Sequence, residues 1–435
     1  MQLARRFIQV RIRGLAARMR RLVRITPRTI GLRAQDMRYA PSPTHFAAAN
    51  RRLGAIDANI ERRFVRLAGT WARAPLQRAL VDVALVEREI DRARRAFGLF
   101  FEVFAQRGSS FAPVLAAHDS IAIDCYAAVR QADPNMFDAR LIKPFCYMEH
   151  GYSPATMRRG VTLNRLLGEP NPFPLIRIPW DRDHPWQAVF LHEVAHNLQA
   201  DLGVWQENRQ AVVQRILGAH ARPVLASVYG RWHKEIFADL AAILLGGPAA
   251  AWGMAEFLLH PAPRVLTYRP GSAHPTGYLR VLMLAEMLRR LGFAENATRL
   301  ARVWRTLYNP ARGHRLPVAL LDKPERVIAQ VVDEIAFQTR RNLAQRALVD
   351  VIPFHAADHE AIIAGARLLM QGQAERVQLP PRFLVSAGAY ALASGKIAPR
   401  ALSRQLVGMM TELAAPDPRA LPARPARPAP AALFH

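Results

Sequence analysis

Cysteine is nearly absent from this sequence, which contains two in 435 residues. Cys125 and Cys146 do not form a CxxC pair, so neither a disulfide framework nor a thiolate metal site is expected. So few cysteines favour a reducing compartment, and we expect a cytoplasmic protein. Any metal site must therefore be built from histidine and carboxylate side chains.

Lysine is also scarce, although the formal net charge is +26. The basic residues are almost all arginines, and the few lysines are Lys143, Lys234, Lys323 and Lys396. A positive field of this size favours polyanions such as nucleic acid or an anionic membrane surface. However, Ala, Arg and Pro are abundant throughout and no nucleic-acid-binding motif accompanies the charge, so compositional bias explains much of the excess.

Acidic residues are missing from the start of the chain, where ten arginines precede the first acid, Asp36. Residues 1–40 are thus a basic arm, expected to be either an amphipathic helix or a partly disordered, solvated segment. The apolar residues whose spacing favours the helix are Phe7, Val10, Leu15, Met19 and Leu22. Such an arm suits peripheral contact with an anionic membrane or nucleic acid, and it also resembles a mitochondrial targeting segment.

Long apolar runs are few. Residues 240–259 are numerous enough to cross a bilayer, but Gly246, Gly247 and Pro248 interrupt the run and Glu256 charges its end. We expect two buried helices here and no transmembrane segment.

Apolar residues recur every three or four positions along much of the sequence, which is the spacing of amphipathic helices. We expect a mainly α (α+β) fold with a small edge-strand sheet. After the arm come a helical region at 41–135, a central region at 136–300 and a C-terminal helical region at 301–414. The remainder, 415–435, is a Pro/Ala/Arg tail that is expected to be disordered.

The central region gives the most detailed predictions. Leu175–Ile178 is predicted to be a strand, and the prolines at 174 and 179 place it at a sheet edge. A helix is expected from Pro185 to Leu202, with Asp183 as its N-cap and Gly203 as its stop. Helices are also predicted within 46–131 and at about 228–245, 275–291, 324–349, 356–372 and 399–414.

A zinc-binding motif lies inside the helix predicted to begin at Pro185. In AVFLHEVAHNLQ (188–199), His192 and His196 are four residues apart, so both imidazoles project from one helical face. This spacing lets two imidazole nitrogens bind one zinc ion, with Glu193 placed to take a proton from a metal-bound water. The alternative is a pair of hydrogen-bonded core histidines.

A third ligand is predicted downstream. The metzincin pattern HExxHxxGxxH fails, because Gln199 and Leu202 replace its glycine and third histidine. In RWHKEIFADLAAILL, Glu235 and Asp239 are again four residues apart in an apolar helix, where unpaired acids are costly to bury. We expect Glu235 to complete a His2Glu zinc site and Asp239 to accept a hydrogen bond from a zinc-bound histidine.

The segment GSAHPTGYLRVLML adds two candidate groups, His274 and Arg280, near a predicted helix start. Donors of this kind beside a zinc ion stabilise the oxyanion of a tetrahedral intermediate. On its own the signal is weak, because His-Pro before a helix is also a good capping sequence. Tyr229 and Tyr278 are further candidate donors.

In their order, HExxH, ExxAD and HPx4R resemble the gluzincin metallopeptidases, most closely the CAAX prenyl protease and HtpX-like group. The resemblance covers about 170–291 and implies a zincin-like catalytic core within 136–300 that uses Zn²⁺. The residues it implies are the zinc ligands His192, His196 and Glu235, the catalytic base Glu193, and the auxiliary residues His274 and Arg280. The chain departs from that group in lacking convincing transmembrane helices.

Two functions are therefore expected. The first is a zinc-dependent metallopeptidase that hydrolyses a peptide or protein substrate with a zinc-bound water activated by Glu193. An extended substrate would add to the edge strand predicted at 175–178. The alternative is a non-catalytic helical binding or scaffold protein with a structural or degenerate zinc site.

Overall fold

The computed structural model describes residues 1–22, 24–138, 141–151, 154–163, 169–220, 222–309 and 316–414. Its helices are α1 (Gln2–Met19), α2 (Pro43–Thr70), α3 (Leu76–Ala105), α4 (Ala112–Ala132), α5 (Val189–Asp201), α6 (Trp205–His220), α7 (Pro223–Gly246), α8 (Pro248–Phe257), α9 (Ala262–Val265), α10 (Gly277–Arg290), α11 (Ala294–Leu307), α12 (Val318–Leu321), α13 (Pro324–Val332), α14 (Leu348–Val351), α15 (Ala356–Met370), α16 (Pro381–Ala393) and α17 (Pro399–Ala414). Its strands are β1 (Phe145–Met148), β2 (Ala155–Met157), β3 (Thr162–Leu163), β4 (Glu169–Pro170) and β5 (Leu175–Ile178). The chain is mainly helical with a small sheet, which confirms the predicted fold class. The tail predicted at 415–435 lies outside the described residues.

Three strands form a mixed sheet in the order β1-β5-β2, with β1 parallel and β2 antiparallel to β5. The prediction that Leu175–Ile178 lies at the sheet edge is wrong, because β5 is the central strand. Pro174 and Pro179 stand just outside the four paired residues, so neither removes an amide from within the paired segment. The strand β2, which was not predicted, takes an edge position instead. β3 and β4 form a separate antiparallel pair.

The three-stranded sheet separates two apolar cores. Neighbouring residues of a strand point to opposite faces, and the paired residues Phe145 and Leu175 join a core built with α1, α2 and α3. Cys146 and Ile176 join a larger core that extends from α4 through α5 and α7 to α17. Helices on both sides of position 300 therefore share one core, which contains the helices of the predicted zinc site.

The basic arm is ordered from residue 2 to residue 19, where α1 packs against α3. Ile8, Ile12 and Leu15 are buried in this contact, and Arg18 donates to Glu87 of α3 at 2.8 Å. Of the two expectations for the arm, the structure has the helix at these residues.

The apolar face predicted for α1 is only partly correct. Leu15 is buried, and Met19 and Leu22 are half-buried against the same core. Phe7 and Val10, in contrast, are 78% and 62% exposed. They point away from α3, so α1 carries a second apolar face that no other part of the described chain covers.

The apolar run at 240–259 is divided between α7 and α8, as predicted. Gly247 separates the two helices with φ +67, a backbone conformation that favours glycine. A Cβ atom at this position would lie 2.1 Å from Cζ of Phe354. Among the described residues, no helix has both the length and the apolar character that crossing a bilayer requires.

Several predicted helix ends differ from the structure. α5 begins at Val189 rather than Pro185, and Ala188, not Asp183, is its N-cap. Gly203 follows the end of α5 with φ +67, as expected for a stop. The single helix predicted at 324–349 is broken after α13 by a π-helical turn at Asp333–Phe337.

Candidate metal centre

α5 presents two histidines on one face. The ring centroids of His192 and His196 are 4.6 Å apart and the ring planes lie at 82°. Elsewhere around α5, Leu191, Val194 and Leu198 are buried in the larger core. These buried side chains fix the orientation of α5, which directs both imidazoles to the cleft.

α7 packs against α5 and places Glu235 between the two imidazoles. Oε2 of Glu235 lies 3.5 Å from Nε2 of His192, and Oε1 lies 3.5 Å from Nε2 of His196. One ligand atom from each of the three residues lies within 4.8 Å of the others. The residues predicted as metal ligands are thus brought together from two helices.

The spacing of these atoms fits a metal ion better than direct hydrogen bonds. Separations of 3.5 Å are long for nitrogen–oxygen hydrogen bonds, which cluster at about 2.9 Å. Tetrahedral ligands bound to zinc at about 2.1 Å lie about 3.4 Å from one another. Two imidazoles and a carboxylate are also a donor set that zinc commonly binds. The residues present therefore fit a zinc ion.

Asp239, one turn after Glu235 on α7, lies beside His192. Its Oδ1 is 2.8 Å from Nδ1 of His192, although the N–H direction falls short of ideal hydrogen-bond alignment. Arg280 of α10 donates Nε and Nη2 to the two oxygens of Asp239, at 2.8 and 2.6 Å. Nε and Nη2 of Arg280 therefore both bind Asp239, and the Asp239 carboxylate lies between Arg280 and His192.

Burial and charge compete in setting the protonation of the site. Burial lowers the pKa of His192, but the carboxylates of Asp239 and Glu235 together outweigh it and raise the pKa to about 9. For His196, burial prevails over the contact with Glu235 and lowers the pKa to about 4. Burial raises the pKa of Glu235, yet the two imidazoles outweigh it and hold that pKa well below its usual range. Glu235 is therefore ionised, as a metal ligand must be.

Glu193 is a second carboxyl group of the cleft and lies outside the three-residue ligand group. Burial raises its pKa to about 7, against the opposing effect of His192 and with a further contribution from the Glu235 carboxylate. A carboxyl group with a pKa near neutrality both accepts and releases a proton at physiological pH. This is the property that a general acid–base needs.

The segment before α10 places His274 at the open side of the cleft. Its Nε2 lies 3.5 Å from Oε2 of Glu235, while its side chain is 65% exposed. Arg280 also lines the cleft, but it is buried. Tyr229 and Tyr278 are buried and do not belong to the cleft lining of the described chain.

The cleft, of about 310 Å³, also contains residues that the sequence did not single out for a role. Thr156 of β2 donates a hydrogen bond to Asn197 of α5 at 2.9 Å and so ties the edge strand to the histidine helix. Arg158 and Lys234 lie over the ring of Trp205 at 4.3 and 5.3 Å. No motif or periodicity connects these residues, although lysine is rare enough in this chain to make Lys234 conspicuous.

The cleft thus combines side chains from β2, α5, α7 and the segment that leads into α10. Its function has to be inferred from these residues themselves. Comparisons of the chain with protein-family models, with curated proteins and with solved structures found no match.

Proposed function

We propose that the protein is a zinc-dependent metallopeptidase of the gluzincin type. The observation that carries this proposal is the convergence of His192, His196 and Glu235 from two helices beside the half-buried Glu193. Structural zinc sites are normally closed by four protein ligands, whereas catalytic sites use three and keep one position open. Among the described residues the ligand group has three members and faces a cleft.

Glu193 is the proton carrier of the proposed reaction. Zinc, when bound, lowers the pKa of water to about 7 and polarises a carbonyl group. The carboxylate of Glu193 takes a proton from the water that attacks the peptide carbonyl and then passes it to the leaving amine nitrogen. His274, at the open side of the cleft, donates to the developing oxyanion.

Asp239 and Arg280 are positioning residues in this proposal. Asp239 holds Nδ1 of His192, which leaves Nε2 directed at Glu235 and the ligand position. Arg280 fixes both oxygens of Asp239 and balances its buried charge. A carboxylate behind a ligand histidine orients the ring and raises its basicity.

An extended substrate is proposed to add to β2. Ala155 and Thr156 of this strand line the cleft, and β2 pairs on one side with β5 at the end of the sheet. Backbone hydrogen bonds to a free strand edge are a common way to hold a peptide in extended form. This replaces the expectation that the substrate adds to Leu175–Ile178, since that strand is central.

The test is the variant Glu193→Gln in a peptide-library cleavage assay with zinc analysis in parallel. The proposal expects wild-type cleavage, loss of cleavage in the variant, and the same zinc content in both. Glutamine keeps the size and most of the polarity of the side chain but does not carry the proton. Cleavage that survives the substitution would contradict the proposed role of Glu193.

The second candidate is a non-catalytic binding or scaffold protein with a structural zinc site. It is favoured by the many helices that share the core with the site. A wild-type protein that binds one zinc ion per chain but cleaves nothing in a broad peptide library would support it over the peptidase.

A reducing location such as the cytoplasm forms part of the proposal. Cys125 and Cys146 are both free and buried, and free buried thiols are typical of reducing compartments.

A further inference from the structure

Two cations in the cleft form no ion pair with a carboxylate in the described part of the chain. Arg158 and Lys234 both line the cleft and both lie over the ring of Trp205. Neither belongs to an ion pair with an acidic residue among the described positions. The cation–π contacts orient the two groups but leave their positive charge unneutralised.

Their surroundings make an anionic ligand favourable. Both side chains are half-buried, and burial lowers the pKa of Arg158 even though Glu235 acts in the opposite direction. Each cation has lost part of its hydration, and a bound anion compensates for that loss. A zinc ion at the ligand group would add further positive charge to the same cleft.

We propose that Arg158 and Lys234 bind a carboxylate of the peptide substrate. This rests on the proposed peptidase function, and it defines the substrate class as peptides with a carboxylate close to the cleaved bond. Arg158 follows directly after β2, so a peptide added to that strand runs towards it. The carboxylate belongs either to the C-terminus or to an Asp or Glu side chain, and the chemistry of recognition is the same.

The experiment compares four versions of one fluorescent peptide, with a free or an amidated C-terminus and with Glu or Gln near the cleaved bond. Cleavage is measured for the wild type, Arg158→Gln, Lys234→Gln and Lys396→Gln. Lys396 is an exposed lysine outside the cleft and serves as the matched control. Binding of the same peptides to Glu193→Gln, with and without Arg158→Gln, is followed by fluorescence anisotropy.

We expect KM for the preferred carboxylate peptide to rise about 10-fold or more in Arg158→Gln and Lys234→Gln, because charge-assisted hydrogen bonds are lost. Its kcat should change little, and peptides without a carboxylate should be unaffected. Loss of the preference on amidation assigns the C-terminus, and loss on Glu-to-Gln exchange assigns the side chain. Equal cleavage of all four peptides would overturn the subsite while leaving the peptidase intact. Binding that depends on Arg158 without any cleavage would support the subsite and reject the peptidase.

A second inference comes independently from α1. Leu3, Phe7 and Val10 are 80%, 78% and 62% exposed, and their i, i+4, i+7 spacing aligns them along one side of the helix. This exposed apolar stripe faces away from the side of α1 that packs on α3.

Arginines border the exposed apolar stripe of α1 on both sides. At 100° per residue, Arg6 and Arg13 follow one border, and both are exposed. Arg11 and Arg18 follow the other border, where they also bind acidic side chains of α3. An apolar stripe between rows of arginine matches the boundary between lipid tails and anionic headgroups.

We infer that the exposed apolar stripe of α1 binds an anionic lipid surface. Its arginine borders disfavour a second copy of the chain, since a symmetric contact would place like charges together. The apolar side chains in turn have no role on a nucleic-acid backbone, which is recognised through phosphate contacts.

Cosedimentation with vesicles tests this inference. The full chain should bind vesicles of phosphatidylcholine with phosphatidylserine and should not bind pure phosphatidylcholine. The triple variant Leu3→Ser, Phe7→Ser, Val10→Ser should bind at least 10-fold more weakly, whereas Val65→Ser, at another exposed valine, should behave as wild type. Unchanged vesicle binding by the triple variant would overturn the inference. If the wild type does not bind vesicles, a dimer or DNA binding that is lost in the triple variant would also overturn the inference.

Discussion

Asp239 shows most directly how single residues specify this site. A carboxylate that is 2% exposed in an apolar helix needs partners, and it has Arg280 on one side and His192 on the other. The sequence indicated the need through the apolar neighbours of Asp239, but it offered Arg280 as a donor to the oxyanion and not as the partner of Asp239. The structure shows that its guanidinium donates to Asp239.

Asp239→Asn should weaken zinc binding about 10–100-fold, because the amide no longer supports the charge and orientation of His192. Chelator competition measures the affinity, and circular dichroism checks that the variant is folded. Glu193→Gln is the matched control, since it alters another carboxyl group of the same cleft, one that lies outside the ligand group. Equal zinc affinity in Asp239→Asn and the wild type would contradict the positioning role.

His118 gives a pH-dependent prediction away from the metal centre. Burial lowers its pKa to about 4 from an ordinary value of 6.5, and its Nδ1 lies 2.8 Å from the carbonyl oxygen of Val114. The unfolded chain binds the proton of His118 more tightly than the folded chain does. The contribution of the neutral His118 to the free energy of unfolding is therefore fully present above pH 6.5. This contribution is lost as the pH falls from 6.5 towards 4.

The variant His118→Gln should therefore be less sensitive to acid than the wild type. Between pH 7 and pH 5, the wild type should lose about 2 kcal/mol more of its free energy of unfolding than the variant. Denaturant titrations at the two pH values measure this difference. Identical losses for both proteins would show that His118 does not titrate in this way.

The site could be predicted in part because its ligands stand in short motifs. His192, His196, Glu235 and Asp239 show helical spacing in apolar helices, which indicates both their common face and their need for partners. Arg158 and Lys234 could not be found in this way, because they lie far apart in the sequence and only the folded chain brings both to the ring of Trp205.

At the scale of elements, the strand at Leu175–Ile178 illustrates a limit of sequence reasoning. Its flanking prolines were taken as signs of an edge strand, but a proline just outside a strand removes no donor from within the paired segment. The start of α5 was misplaced for a related reason. Asp183 looks like an N-cap, whereas the helix begins after Ala188 without a side-chain cap.

The junction of α7 and α8 gives a prediction at this scale. Gly247→Ala combines an unfavourable φ of +67 with a Cβ only 2.1 Å from the Phe354 ring. We expect a loss of about 2–4 kcal/mol from strain and overpacking. Gly271→Ala is the control, because Gly271 has φ +79 but no atom within 4 Å of its Cβ position, and it should cost about 1 kcal/mol.

Urea unfolding of Gly247→Ala and Gly271→Ala measures both costs. Equal losses in the two variants would mean that Phe354 moves aside without penalty and that the ring does not fix the α7–α8 junction.

At the scale of the whole molecule, the small sheet divides the helices into two groups. Periodicity identified many of the helices, but it could not show that α4 and the helices after position 300 pack in the core that holds the metal centre. Such sharing depends on contacts between distant parts of the chain, which local patterns do not contain. A metal ion bound at the site would stabilise the helices that meet there.

The central claim is that two helices supply three ligands to one metal ion. Metal analysis of the purified wild type beside His196→Ala and Glu235→Ala tests it most directly, with Glu193→Gln as a control that keeps the ligands. We predict one zinc ion per chain in the wild type and the control, and little or none in the two ligand variants. Zinc content that is unaffected by both ligand substitutions, or a wild type that binds no metal at all, would contradict the account.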